Sequence, residues 1–152
     1  MIADGQAAPD FELTSDSGER VRLSDLRGRP VVLYFYPKDD TPGCTKEACE
    51  FRDAYDEFRA RGAAVLGVSP DGAESHAKFK SKHELPFTLL ADPEHEAAAA
   101  YGVWTERSMY GRKFMGIKRS TFVIAPDGTV AKAMIGIRPA GHAAQVLASL
   151  PA

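Results

Sequence analysis

Val31-Val32-Leu33-Tyr34-Phe35-Tyr36-Pro37-Lys38-Asp39-Asp40-Thr41-Pro42-Gly43-Cys44-Thr45 is the stretch on which the fold turns. Val31 to Tyr36 is apolar or aromatic at every position, too uniform for a strand with one wet face. It predicts a strand covered on both sides, as in a sheet carrying helices on either face. Pro37 closes the strand. Thr41 is a reasonable N-cap with Pro42 at the first helical position, where a missing N–H costs nothing; Asp39 or Asp40 is the alternative cap. Cys44 then falls in the first turn of a helix, where free N–H groups and the positive helix end favour a thiolate. A buried strand leading into a helix is the usual place for a site in an open sheet.

Working outward, Phe11 to Thr14 and Val21 to Leu23 flank the turn-rich Ser15-Asp16-Ser17-Gly18 and predict a small hairpin. A helix is expected from about Pro42 to Arg61, stopped by Gly62. Ala64 to Val68 is a second buried strand, followed by a helix from about Gly72 to His83 that Pro86 bounds. Thr88 to Leu90 is a third strand, and a short helix spans about Glu94 to Tyr101. Ser120 to Ala125 and Thr129 to Ile135 are strands joined across Pro126-Asp127-Gly128, and an amphipathic helix runs from about Ala140 to Leu150. This order predicts an α/β fold, a thioredoxin-like mixed sheet flanked by helices on both faces with an N-terminal β-hairpin. At 152 residues, the chain 1–152 is expected to form a single domain.

Composition narrows the function. The chain is 44% hydrophobic and 26% charged with a net charge of −2, and no block of five like charges occurs. Nucleic-acid and membrane-surface roles, which rest on clustered Lys and Arg, are not expected. No apolar run approaches the ~18 residues of a membrane span. Met1 to Gln6 has neither the basic patch nor the apolar stretch of a secretory signal, and the chain contains no Asn for glycosylation. A cytoplasmic location follows as the expectation. There, two cysteines five positions apart point to redox or metal chemistry, against the alternative of two small buried hydrophobes.

Helix geometry separates the two cysteines. Cys44, Ala48, Phe51, Tyr55 and Phe58 form one apolar stripe. Cys49 lies about 140° round the helix from Cys44, on the side of Thr45, Arg52 and Asp56. One cysteine therefore faces the core edge and the other faces water, an arrangement that suits chemistry better than packing.

These residues carry a resemblance. Pro37, Thr41 and Cys44 meet the pattern Pro-x-x-x-Thr-x-x-Cys of the peroxiredoxin active site. The string Thr41-Pro42-Gly43-Cys44-Thr45-Lys46-Glu47-Ala48-Cys49 is similar to the peroxiredoxin Q branch, also called bacterioferritin comigratory protein. Gly5-Gln6-Ala7-Ala8-Pro9-Asp10-Phe11 resembles that family's opening, and Tyr101-Gly102-Val103-Trp104 its middle. Gly116-Ile117-Lys118-Arg119-Ser120-Thr121-Phe122 resembles the strand bearing its active-site arginine. The resemblance implies a thiol peroxidase acting on hydrogen peroxide and organic hydroperoxides. It implies Cys44 as the peroxidatic cysteine, oxidised to a sulfenic acid, and Cys49 as the resolving cysteine that closes an intramolecular disulfide. It implies a thioredoxin- or glutaredoxin-type reductant, with Pro37, Thr41, Gly43 and Arg119 shaping the peroxide site. No metal, haem or flavin cofactor is implied, and an internal resolving cysteine leaves a monomer sufficient.

The chemistry of sulfur agrees. A free cysteine, at a pKa of about 8.5, is only about 3% ionised at pH 7, and becoming mostly thiolate requires roughly 3.4 kcal/mol. A helix N-terminus supplies about 0.3–1 and at best ~2 kcal/mol, so a nearby cation is required. Arg119 fits that role, with a fixed fork of N–H donors for both sulfur and peroxide oxygen. Glu47, one turn beyond Cys44, either orients Arg119 or stands as an exposed helix carboxylate. Lys38 reads as a solvated loop charge, and Tyr36 and Trp104 as packing residues. His76, His83, His95 and His142 show no paired metal spacing and are expected at the surface. A copper site built from Cys44, Cys49 and a distant His would need ligands on opposite helix faces. A protein dithiol oxidoreductase would carry Cys-x-x-Cys, which is absent.

Overall fold

The computed structural model describes residues 2–151; Met1 and Ala152 of the expected 1–152 domain lie outside it. At its centre is β3 (Val31–Phe35), every residue of which is buried. It pairs in parallel with β4 (Ala64–Ser69) and antiparallel with β8 (Ser120–Ile124), which accounts for its unbroken apolar sequence. The other strands of this sheet are β1 (Glu12–Ser15), β2 (Arg20–Arg22), β5 (Thr88–Ala91) and β9 (Val130–Ile135), in the order β2-β1-β5-β4-β3-β8-β9. Parallel β3, β4 and β5 sit beside antiparallel neighbours, so the sheet is mixed.

The pleat sorts β3 into two cores. Val32, Tyr34 and Tyr36 pack with residues of α1 (Pro42–Asp53), α2 (Tyr55–Ala60), α3 (Ala73–His83) and α5 (His142–Ala148). Val31, Leu33 and Phe35 pack on the opposite face with Ala97 and Ala98 of α4 (Glu96–Ala100) and with Tyr101, Val103 and Ile117. Helices on both faces of a mixed sheet and an N-terminal β1–β2 hairpin make this the thioredoxin-like architecture expected from the sequence.

Three local expectations are corrected. Leu23, expected to end the hairpin, opens a 3₁₀ turn, Leu23–Leu26, and the β1–β2 pairing joins Glu12–Thr14 to Arg20–Arg22. The helix expected to run unbroken to Arg61 is divided at Ala54, whose ψ of 3° interrupts the ladder between α1 and α2; no Gly or Pro marks the place. A further hairpin, unanticipated, joins β6 (Trp104–Met109) to β7 (Arg112–Ile117). Its two-residue turn, Tyr110-Gly111, has φ of 51° and 77°, the positive pair that such a turn requires, and Gly111 meets that need without strain.

Candidate active site

Pro42 opens α1 with Thr41 as its N-cap residue in extended backbone, and the amide of Thr45 donates to the Thr41 carbonyl at 2.8 Å. Cys44 is therefore in the first turn, as expected, and its side chain belongs to the core at 1% exposure. The Thr41 hydroxyl makes no cap bond; it donates to the Lys38 carbonyl at 2.9 Å and so ties off the loop that precedes the helix. Pro37 and Lys38 in that loop are exposed.

Arg119, between β7 and β8, reaches this helix start from the neighbouring strand. β8 pairs directly with β3, so the residue preceding β8 stands beside the end of the strand that feeds α1. The Ile137 N–H donates to the Arg119 carbonyl at 3.0 Å and fixes its backbone. From there the guanidinium forks: Nη2 donates to Cys44 Sγ at 3.2 Å, and Nη1 donates to Glu47 Oε1 at 2.6 Å. Gly43 lies beneath the fork, where an added Cβ would stand 3.2 Å from Arg119 Nη2 and 3.5 Å from Pro139. Above, the Gly141 N–H donates to Glu50 at 2.9 Å, so the segment before α5 is tied to α1 and walls the site.

Glu47 is not the exposed carboxylate that one reading allowed. Its side chain is fully buried, and Oε2 is, with Tyr34 OH, one of two buried side-chain polar atoms among the described residues that lack a partner. Burial pushes its carboxyl up to about 7, even though the Arg119 guanidinium pulls the other way. Burial likewise opposes the Arg119 charge, but Glu47 and the Cys44 sulfur outweigh it and push that guanidinium further up. A cation is thus held against the sulfur by a carboxyl that has no other bond to make.

Cys49 sits in the same helix, half-buried rather than facing water, and both cysteines are free thiols. The expectation that all four histidines lie at the surface fails. His76 and His142 are fully buried because both of their ring nitrogens find partners: Asp39 and Leu90 for His76, Thr121 and Gln145 for His142. His83 is partly covered and bonds Asp40, and His95 stacks on Trp104 with ring centroids 3.6 Å apart. Among the described residues no group of three or more His, Cys, Asp or Glu side chains could hold a metal ion. Of the predicted residues, the structure brings together Cys44, Gly43 and Arg119, with Thr41 one residue before the helix. Asp39, Pro139, Glu50 and His142 were not anticipated, and only Asp39 stood inside a stretch already singled out.

Comparison with known proteins places this geometry in a lineage. Residues 5–133 match the AhpC/TSA family. The peroxiredoxin Bcp of Bacillus subtilis is 51% identical over 146 residues, covering 96% of this chain and 93% of its own length. A putative peroxiredoxin bcp of Helicobacter pylori is 47% identical, covering 96% of each. Among solved structures, a mutant of PrxQ from Xylella fastidiosa superposes with a TM-score of 0.92 at 35% identity, covering 97% of this chain and 94% of that one. The Xanthomonas campestris bacterioferritin comigratory protein, studied for its alkyl peroxide reduction activity, superposes with a TM-score of 0.88 at 40% identity, covering 91% and 88%. With a cysteine at the helix start and an arginine bonded to its sulfur, the chain belongs to the AhpC/TSA family and within it to the peroxiredoxin Q, or bacterioferritin comigratory protein, branch of peroxidases.

Proposed function

We propose that the chain reduces hydrogen peroxide and organic hydroperoxides through a Cys44 sulfenic acid and a Cys44–Cys49 disulfide, and that a thioredoxin- or glutaredoxin-type dithiol restores the two thiols. The observation that carries this reading is the Arg119 fork, with one N–H on the Cys44 sulfur and the other on a buried carboxyl. The Cys44 thiolate attacks one peroxide oxygen, an S–O bond forms, and the O–O bond breaks. The leaving oxygen departs with the bonding electrons and takes a proton, giving water or an alcohol. Sulfur is oxidised by two electrons and the peroxide reduced by two.

Each residue has work in that step. The fork donates to charge that moves from sulfur toward the leaving oxygen, in a site sheltered from water, where such donors act most strongly. Gly43 leaves the space in which the fork lies, and Thr41 and Pro37 shape the mouth through which the peroxide enters. In the second step the Cys49 thiolate attacks the Cys44 sulfur, an S–S bond forms, and the hydroxyl leaves as water. The external dithiol then supplies two electrons and two protons. Resolution within one chain needs no second subunit, and we take the protein to act as a monomer, in one domain, in the cytoplasm. The alkyl peroxide activity of the Xanthomonas campestris relative supports the organic half of the substrate range.

NADPH consumption in a coupled assay tests the reading, with thioredoxin and glutaredoxin systems compared against hydrogen peroxide, tert-butyl hydroperoxide and cumene hydroperoxide. Turnover is expected with wild type and not with Cys44→Ser. Turnover by Cys44→Ser above a few per cent of wild type removes Cys44 from its role, and no turnover by wild type with any pair of reagents defeats the proposal.

A further inference from the structure

The loop that leads into α1 carries two consecutive aspartates, and both are held by α3. Asp40, in left-handed backbone with φ of 58°, meets Lys82 at 2.6 Å and His83 at 3.0 Å in the open. Asp39 points inward. Its Oδ1 accepts from Tyr36 OH at 2.6 Å, and its Oδ2 accepts from Ser75 Oγ at 2.8 Å and faces His76 Nδ1 at 2.7 Å. Its own N–H donates to Asp71 at 2.7 Å, on a carboxylate oxygen that also accepts from Ser69 Oγ at 3.0 Å.

His76 has no exposed surface, and its Nε2 faces the Leu90 carbonyl of β5 at 2.9 Å. A carbonyl oxygen only accepts, so Nε2 carries a hydrogen. Burial would raise the Asp39 carboxyl, but the bonds from His76, Tyr36 and Ser75 outweigh it and hold it below the ordinary value. His76 thus bridges Asp39 of the loop to the Leu90 carbonyl of β5.

A buried polar pair is a poor source of stability, because apolar residues of the same volume do as well or better. Its use is to select one geometry. We propose that the buried, hydrogen-bonded pair of Asp39 and His76 positions the 37–41 loop, and through it Thr41 and the first turn of α1, for the reaction at Cys44. The pair ties the loop that precedes α1 to two regular elements, α3 and β5. The exposed Asp40 pair, in high dielectric, adds little to this. Asp39 and His76 touch neither sulfur nor peroxide, so they are positioning residues.

Heteronuclear NMR of histidine-labelled reduced protein tests the pair: His76 Nε2 is expected to carry a hydrogen bonded to the Leu90 carbonyl, and an Nε2 without one would overturn it. Single-turnover peroxide consumption tests the role. Since a misplacement of 1 Å at a reacting centre costs about 10²-fold, Asp39→Asn and His76→Gln are each expected to slow Cys44 oxidation by up to that factor. The double variant is expected to be no slower than the slower single one, and Asp40→Asn to stay within about threefold of wild type. Additive losses, or single variants as fast as wild type, would overturn the proposal. If the variants fail to fold, Ser75→Ala, which removes one donor to Asp39, replaces them, and a rate equal to wild type again counts against it. The inference rests on the peroxidase reading; inactive wild type defeats that reading, whereas active wild type with unaffected variants defeats this one alone.

Discussion

Closing a disulfide between Cys44 and Cys49 has to destroy part of α1. Both cysteines lie in one continuous helix, Pro42–Asp53. Five residues of α-helix rise about 7.5 Å, and the accompanying turn of about 140° at a radius of ~2.3 Å adds about 4.3 Å sideways. The two Cα atoms therefore stand roughly 8.7 Å apart, beyond the ~7 Å that a disulfide spans without backbone movement. The perturbation is oxidation by one equivalent of peroxide, and the expected response is unwinding from Pro42 to about Arg52. That region holds about seven i→i−4 backbone hydrogen bonds, each contributing a net ~0.5–1.5 kcal/mol. It also releases Phe51, which has no exposed surface and packs against Tyr34, Phe58, Phe87 and His142. Burial of that ring adds about 1.5–3 kcal/mol. The contact sum, roughly 9 kcal/mol, is an upper bound on the opening free energy of this region in the reduced protein, because unwinding returns about 1–2 kcal/mol of backbone entropy per residue. Hydrogen exchange on the reduced and disulfide forms is the assay, with the amides of Glu47 to Phe51 expected to lose at least two orders of magnitude of protection on oxidation. Equal protection in both forms would refute the reasoning.

Arg119→Met removes both a charge-assisted donor to sulfur and the donor to the leaving oxygen; Cys44 oxidation, followed by stopped-flow peroxide consumption, is expected to slow by about 10²–10³-fold. Gly43→Ala places a methyl 3.2 Å from Arg119 Nη2 and is expected to slow the same step several-fold while leaving the thermal midpoint within a few degrees of wild type. Glu47 gives a pH dependence. Because its carboxyl is pushed from an ordinary 4.5 to about 7, the fold favours the neutral form. The stability this confers is complete below about pH 4.5 and is lost as pH rises through 7. Urea denaturation of Glu47→Gln and wild type under reducing conditions is therefore expected to shift in the variant's favour by up to ~3 kcal/mol between about pH 5 and pH 8. A pH-independent difference would show that Glu47 keeps an ordinary ionisation.

Much of this fold is legible in the sequence alone. Val31 to Tyr36 read as a doubly covered strand because six successive apolar residues leave no face for water, and the strand is central. The Thr41-Pro42-Gly43-Cys44 string placed the cysteine in a first turn because capping and proline preferences are local. What stayed hidden was set by partners distant in sequence. Glu47 looks like any helix carboxylate until Arg119, 72 residues away, arrives to bond it. His76 and His142 have no neighbouring ligand pattern, and only Asp39, Leu90, Thr121 and Gln145 explain why they are inside. The break at Ala54 has no helix-breaking residue to announce it. The β6–β7 hairpin is hard to read because its turn, Tyr110-Gly111, lacks the Asn-Gly or Asp-Gly that usually marks one, although Gly111 is a usable signal.

The most direct measurement of the central claim is the intact mass, with peptide mapping, of fully reduced protein after one equivalent of hydrogen peroxide. The account predicts a single product lighter by two hydrogens, with the peptides of Cys44 and Cys49 joined within one chain. It also predicts that Cys49→Ser, treated alike, gains one oxygen at Cys44. An unchanged mass, or a disulfide that joins two chains through Cys49, would contradict it.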